Sequence, residues 1–208
     1  MNEQTLRERV VAGIRGDIVS GQLEPGAVYS APYLADIYHV SVTPVREALL
    51  DLVKEGLLEP VRNKGFRVLE PSDQDHDEIA QLRDLLEPPT AGLVARIATE
   101  TQIAHLRNLA SDIERYAIAN DVAKYVEADR NFHLAVIEIT GNKRLLEAVS
   151  TLRSQARLFG LQRIADKGGL QSSSEEHNQL MNAIERHDST RAEEIMREHL
   201  GHIRKEWS

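Results

Sequence analysis

The sequence predicts a mostly α chain in two parts, three short helices closed by a β-hairpin and then an all-helical bundle. Three observations carry this reading. Leu6, Val10, Ile14 and Ile18 recur every four residues, the spacing of one helix face. Leu57–Pro60 and Phe66–Leu69 flank a polar link that contains a glycine, as a hairpin needs. Beyond Glu70-Pro71-Ser72-Asp73 the apolar pattern has a helical period throughout, and nothing alternates like a strand.

The first helix ends at Ser20-Gly21, and Leu23-Glu24-Pro25-Gly26 forms a turn. A second helix is predicted around Pro32 to Tyr38 with Leu34 and Ile37 inward. A third runs from Val42 to Glu55 with Val45, Leu49, Leu52 and Val53 inward. Thr43-Pro44 opens it, because proline lacks only a donor that the first turn leaves unpaired, and Gly56 closes it. With the hairpin, this is the layout of a winged helix-turn-helix over residues 1–70. Residues 74–208 read as an all-helical domain, with helices near 74–98, 100–119, 121–139, 142–166, 174–187 and 189–206. Asp121, Asn142, Ser174 and Asp188 stand at cap positions. Pro88-Pro89 predicts a kink or break in the first of these helices. Residues 166–174 read as a connecting loop.

Composition narrows the function classes. The chain has 208 residues, is 41% hydrophobic and contains no cysteine, which excludes disulfide scaffolds, Cys-ligated zinc and thiol nucleophiles. No apolar run is long enough for a membrane span, and the opening Met-Asn-Glu-Gln carries no secretory signal, so a cytoplasmic location and no membrane partner are expected. The formal charge is -8; residues 1–70 hold 8 Lys/Arg and 10 Asp/Glu, residues 71–208 hold 17 and 23. A basic field over the whole molecule is absent, so any nucleic-acid contact has to be local. No Gly-rich phosphate cradle is present.

In a helix-turn-helix, the second helix of the motif enters the major groove by its N-terminal end. That geometry puts Ser41, Thr43 and Arg46 at the DNA, with Arg46 as the base or phosphate contact. In the hairpin, Arg62, Asn63, Lys64 and Arg67 supply three positive charges within six residues, suited to the minor groove or flanking phosphates. A charged hairpin is also common on solvated surfaces, so this pattern alone leaves a protein-interaction module open.

Leu23-x-Pro25-Gly26, Leu34-Ala35, Val40-Ser41-x-Thr43-Pro44-Val45-Arg46-Glu47-Ala48-Leu49, Glu55-Gly56-Leu57 and Gly65-Phe66-x-Val68 together resemble the GntR family of bacterial transcription regulators. The resemblance implies a DNA-contacting Arg46 and a wing tip at Gly65. The family usually carries arginine near Pro32, glycine at His39 and arginine or lysine at Val42. Two customary positive contacts are therefore missing, which points to an atypical operator or weaker base readout.

Seven of the eight histidines lie beyond residue 70. Asp129 and His133 stand four apart on one helix face, and antiparallel packing of the last two helices can bring His177 and His199 beside them. One Asp and three His suit zinc first, with nickel, manganese or iron as alternatives, and do not suit calcium or magnesium. Such spacings also occur in helices that bind nothing, and His202 is the nearest rival of His199.

Asp129-x-x-Phe132-His133, Gly141-Asn142, Glu176-His177-x-x-Leu180, Ala183-Ile184 and His199-Leu200 resemble the FCD effector domain of the FadR-type branch, in its short VanR-like form. The resemblance implies a divalent metal on Asp129, His133, His177 and His199 at the floor of a cavity. It also implies a small organic acid as effector, with Arg83 in Leu82-Arg83-x-Leu85-x-Glu87 as its carboxylate partner. Arg130, Arg153, Arg157 and Asn178 are further lining candidates. The expected protein is a homodimeric regulator, a repressor by family habit and not an enzyme, on a pseudo-palindromic double-stranded operator. Two rivals stand beside it. A metal-dependent hydrolase or lyase would need a general base, for which Glu176 is the only suggestion. An architectural DNA-binding protein would use the metal structurally.

Overall fold

The computed structural model describes residues 5–70, 72–156 and 169–207. Among them are nine helices: α1 Leu6–Val19, α2 Ala31–Tyr38, α3 Val42–Lys54, α4 Asp73–Ile97, α5 Glu100–Ile118, α6 Val122–Glu138, α7 Lys143–Ala156, α8 Gly169–Glu185 and α9 Ser189–Trp207. Three strands, β1 Val28–Tyr29, β2 Leu58–Val61 and β3 Gly65–Val68, form one antiparallel sheet in the order β1-β3-β2. The protein is therefore mostly α, with a winged helix-turn-helix head followed by an all-helical bundle.

The head is organised by the helical stripes. Thr5 and Glu8 close a capping box on α1, which buries Val10, Ile14 and Ile18 while Leu6 stays 42% exposed. On α2 the inward face is Ala31, Leu34 and Ala35, and Ile37 is 45% exposed rather than buried. Tyr38 takes the inward place: it packs on Gly13, and its hydroxyl donates to Asp17. Val45, Ala48, Leu49 and Leu52 of α3 complete this core. The wing pairs Leu58 with Val68 and Val61 with Gly65. The sequence did not announce β1, because two residues are too few to show alternation. It pairs Tyr29 with Phe66 and brings the Tyr29 carbonyl against Gly65, where a Cβ would lie 2.2 Å away. Gly65 is thus a packing requirement as well as a wing residue.

A second, separate core joins α4, α5, α6, α8 and α9, centred on Val94, Leu106, Ile113, Phe132, Met181 and Ile184. Helix α4 lies along α9, and α7 packs on α4 and α6. Three expectations fail here. Helix α4 runs unbroken through Pro88-Pro89. The carbonyls that lose their donors belong to Asp84 and Leu85, two exposed residues of the helix. Residues 169–174 are helical rather than a loop, because Leu170 is buried in the core and Ser173 holds the Tyr125 hydroxyl at 2.9 Å. Ser174 consequently sits inside α8, not at its cap; Asp121, Asn142 and Asp188 do accept amide hydrogen bonds as caps. The remainder of the connector and of the helix predicted to residue 166, at 157–168, lies outside the described residues.

Candidate metal centre and nucleic-acid face

Helix α6 presents Asp129 and His133 on successive turns, α8 brings His177 and α9 brings His199. One ligand atom from each of the four lies within 4.8 Å of all the others, and the three imidazoles are buried. His133 Nε2 and His177 Nε2 are 3.0 Å apart, and Asp129 Oδ1 lies 3.2 Å from His177 Nε2 and 3.5 Å from His133 Nε2. Phe132 walls the cluster with edge contacts to His133 and His177.

The donor set fits a divalent ion. Metal–nitrogen bonds of about 2.0–2.1 Å place neighbouring donors of a tetrahedral ion ~3.3 Å apart, close to the separations here. Two of the rings are oriented through their other nitrogen: His177 Nδ1 lies 2.7 Å from the Ser173 carbonyl and His199 Nδ1 2.8 Å from Glu176 Oε2, whereas His133 Nδ1, 3.5 Å from Glu87 Oε2, makes no hydrogen bond. His199 Nε2 is buried with no hydrogen-bond partner, an orphaned lone pair that a cation would satisfy. His202, exposed, closes on the other oxygen of Glu176 instead of entering the cluster.

A buried ionic network adjoins the histidines. Arg83 Nε donates to Glu87 Oε1 at 2.7 Å, Arg153 Nη1 to Glu87 Oε2 at 2.5 Å, and Arg153 Nη2 to Asp129 Oδ2 at 2.8 Å. Burial alone would raise the Glu87 carboxyl, but Arg153 and Arg83 overcome it and hold the group at about 2. Asp129 is likewise kept well below the usual carboxylate range against burial, chiefly by Arg153. Burial, followed by the charge of Arg153, pushes the His133 pKa well down, and burial with the neighbouring His177 lowers that of His199. Neutral imidazoles beside an ionised carboxylate are the protonation states that ligation requires.

The other sequence candidates fall in different places. Arg83 and Arg153 join the network beside the centre. Arg130 instead donates to Ser150 Oγ at 2.9 Å and lines a cavity of about 1080 Å³ between the head and α6. The Asn178 side-chain oxygen Oδ1 accepts from Arg107 Nη1 of α5 at 3.5 Å. Neither Arg130 nor Asn178 is brought to the histidines, and Arg157 lies outside the described residues. The sequence reading gave Glu87 no role. Its only signal was the four-residue step from Arg83, and its second partner arrives on α7.

On the head, Ser41 caps α3 without a side-chain bond, and Ser41, Thr43 and Arg46 are all exposed at its first turns. Arg62, Asn63 and Lys64 are exposed at the turn between β2 and β3, with Asn63 in the left-handed region at φ 59°. Arg67 is paired across the hairpin with Glu59 at 2.5 Å. His39 ends α2 at φ 53°, a conformation that favours glycine.

Two family profiles match the chain: the bacterial regulatory proteins of the gntR family over residues 6–68 and the FCD domain over residues 78–202. The transcriptional repressor GlaR of Escherichia coli is 29% identical over 195 residues, covering 90% of this chain and 89% of GlaR. A probable D-xylose utilization operon transcriptional repressor of Paenarthrobacter nicotinovorans is 27% identical, covering 96% and 88%. The solved structure of E. coli McbR superposes with a TM-score of 0.78 at 25% identity, covering 99% of this chain and all of the other. With both profiles matched in order along one fold, the chain belongs to the GntR family of bacterial transcription regulators, in the branch with an FCD domain, and not to a family of enzymes.

Proposed function

We propose that this protein is a transcriptional repressor that binds a pseudo-palindromic operator as a homodimer and answers to a small organic acid bound near a divalent metal in its helical half. The single observation that carries the reading is the buried Asp129, His133, His177 and His199 cluster with the Arg83–Glu87–Arg153 network at its side. Those four residues would hold the ion, zinc by donor type, and the bound ion would supply a Lewis-acidic position for a carboxylate. Arg83 would orient that carboxylate by its guanidinium group, beside Arg153, whose fork spans Glu87 and Asp129.

On the DNA side, Ser41, Thr43 and Arg46 would enter the major groove, and Arg62, Asn63, Lys64, Gly65 and Arg67 would form the wing contact. Two relatives named as repressors support the sign of regulation. Leu82, Leu85, Leu93 and Ile97 lie exposed along one face of α4, a stripe that a second copy would cover. No described helix is long and apolar enough to cross a membrane.

The test is selection of bound fragments from the source genome at physiological salt, with excess non-specific DNA and Arg46→Ala as control. A two-fold motif lost in the control is expected, with binding that changes when small acids are added to zinc-loaded protein. Zinc-bound protein whose DNA affinity no acid alters would instead mark the metal as structural.

A further inference from the structure

The head and the helical half meet through residues that are sequence neighbours of the buried centre. Glu55, the C-cap of α3, accepts from Arg15 Nη2 at 2.8 and 3.0 Å, from Arg15 Nε at 3.2 Å and from Ser154 Oγ at 3.3 Å. Arg15 Nη1 lies 3.5 Å from Glu127 Oε2 on α6. Arg15 is 7% exposed and Ser154 fully buried. At Gly56, with φ +70°, a Cβ would lie 2.4 Å from Gln155 Nε2.

Three successive residues of α7 therefore face two ways. Arg153 grips Glu87 and Asp129, while Ser154 and Gln155 meet the end of α3. Helix α6 repeats the arrangement, with Asp129 in the centre and Glu127 toward Arg15. Successive helical side chains diverge by roughly 100° but ride on one hydrogen-bonded turn, so Arg153 cannot shift without Ser154. Asp129 has two demands on it, the Arg153 fork at Oδ2 and the histidine cluster at Oδ1. Any change of charge in the cluster alters the Arg153–Asp129 attraction, and with it the turn that touches α3.

We propose that Glu55, held by Arg15 and Ser154, is the contact through which occupancy of the Asp129/histidine centre reaches α3, the helix that bears Arg46. The proposal rests on the metal-centre reading. Arg15, Glu55 and Ser154 are positioning residues, since they touch neither the centre nor the exposed DNA face. Coupling of this kind is reciprocal, so weakening the contact also shifts affinity at the centre.

The experiment is amide hydrogen exchange on the full chain with and without zinc, after calorimetry of zinc binding, for wild type, Ser154→Ala and Glu55→Gln. In the wild type, zinc is expected to change exchange at residues 52–56 by about fivefold or more. In both variants that zinc dependence is expected to collapse while zinc still binds. A residue that only stabilises the head would raise exchange equally with and without zinc. An unchanged response at α3 in the wild type, or an equal response in the variants, overturns the coupling alone. Absence of zinc binding to the wild type overturns the metal-centre reading and the coupling together.

Discussion

Arg153 joins the two carboxylates that flank the histidine centre, with Nη1 2.5 Å from Glu87 Oε2 and Nη2 2.8 Å from Asp129 Oδ2. Removing it leaves two buried anions with one fewer cation among them. Arg153→Met is expected to cost about 3–5 kcal/mol, because breaking a buried pair from one side leaves a charge uncompensated. Arg153→Lys should recover only part, since a single ammonium cannot span both acceptors as a planar fork does. Urea denaturation decides it: a midpoint for Arg153→Met within error of the wild type would show that the network contributes no stability.

Acid should weaken the metal-free protein in two steps. His133 and His199 have folded pKa values below their unfolded value of 6.5, so the unfolded chain takes up protons first. Stability therefore falls as pH drops through about 6.5. Glu87 sits at about 2 in the fold against 4.5 unfolded, and Asp129 is depressed likewise. Their contribution is full above the unfolded carboxylate values and is lost as pH falls from there toward 2. Unfolding midpoints measured in chelator from pH 8 to 3 check the sign; a midpoint that rises between pH 7 and 5 would contradict it.

Glu176 orients His199 from outside the ligand set, through the 2.8 Å contact at Nδ1. Without it the ring loses the acceptor that fixes its tautomer. Glu176→Ala is expected to lower zinc affinity by about 10- to 100-fold. Glu176→Gln, which keeps an acceptor oxygen, should lose less. Isothermal titration on both variants separates orientation from bulk packing, because equal losses would leave the acceptor without a role.

The sequence exposed the head almost completely, since Val10, Ile14 and Ile18 or Val45, Leu49 and Leu52 bury one face each and periodicity reports such faces directly. What it misjudged turned on tertiary contact. Ile37 and Tyr38 compete for one inward place, and the ring that meets Gly13 wins. Residues 169–174 look like a loop by composition, yet Leu170 finds the core. At the centre, the Asp129–His133 spacing was visible as a helix face, whereas His177 and His199 needed the packing of α8 and α9. Arg130 shows the converse, because one residue beyond Asp129 the helix already points toward the head.

Gly65 meets the Tyr29 carbonyl at φ +135°, where an added Cβ would lie 2.2 Å from the oxygen. Gly65→Ala combines that overlap with backbone strain, and about 2 kcal/mol or more of destabilisation is expected. Gly16 in α1 has no atom within 4 Å of such a Cβ, so Gly16→Ala should stabilise by about 0.5–1 kcal/mol. Thermal unfolding of the pair distinguishes a packing role for Gly65 from a purely DNA-facing one, which would leave the midpoint unchanged.

The wing charges should differ in their effect on DNA. Arg62 and Lys64 are exposed at the turn, while Arg67 is held by Glu59. A phosphate contact adds about 0.9 to the slope of log affinity against log salt, so Arg62→Ala and Lys64→Ala should each lower that slope by about 1 per head. Arg67→Ala should lower it less, because its charge is already shared with Glu59. Arg46→Ala, at the tip of α3, should cost about 1–3 kcal/mol and relax base preference if the contact is to a base edge. Val42→Arg, at an exposed position beside it, should restore a positive contact and change the preferred site. Salt titrations on a selected operator and on scrambled DNA read all five. Equal slopes for Arg67→Ala and Lys64→Ala would mean that DNA breaks the Glu59 pair, and an unchanged preference for Val42→Arg would remove position 42 from the readout.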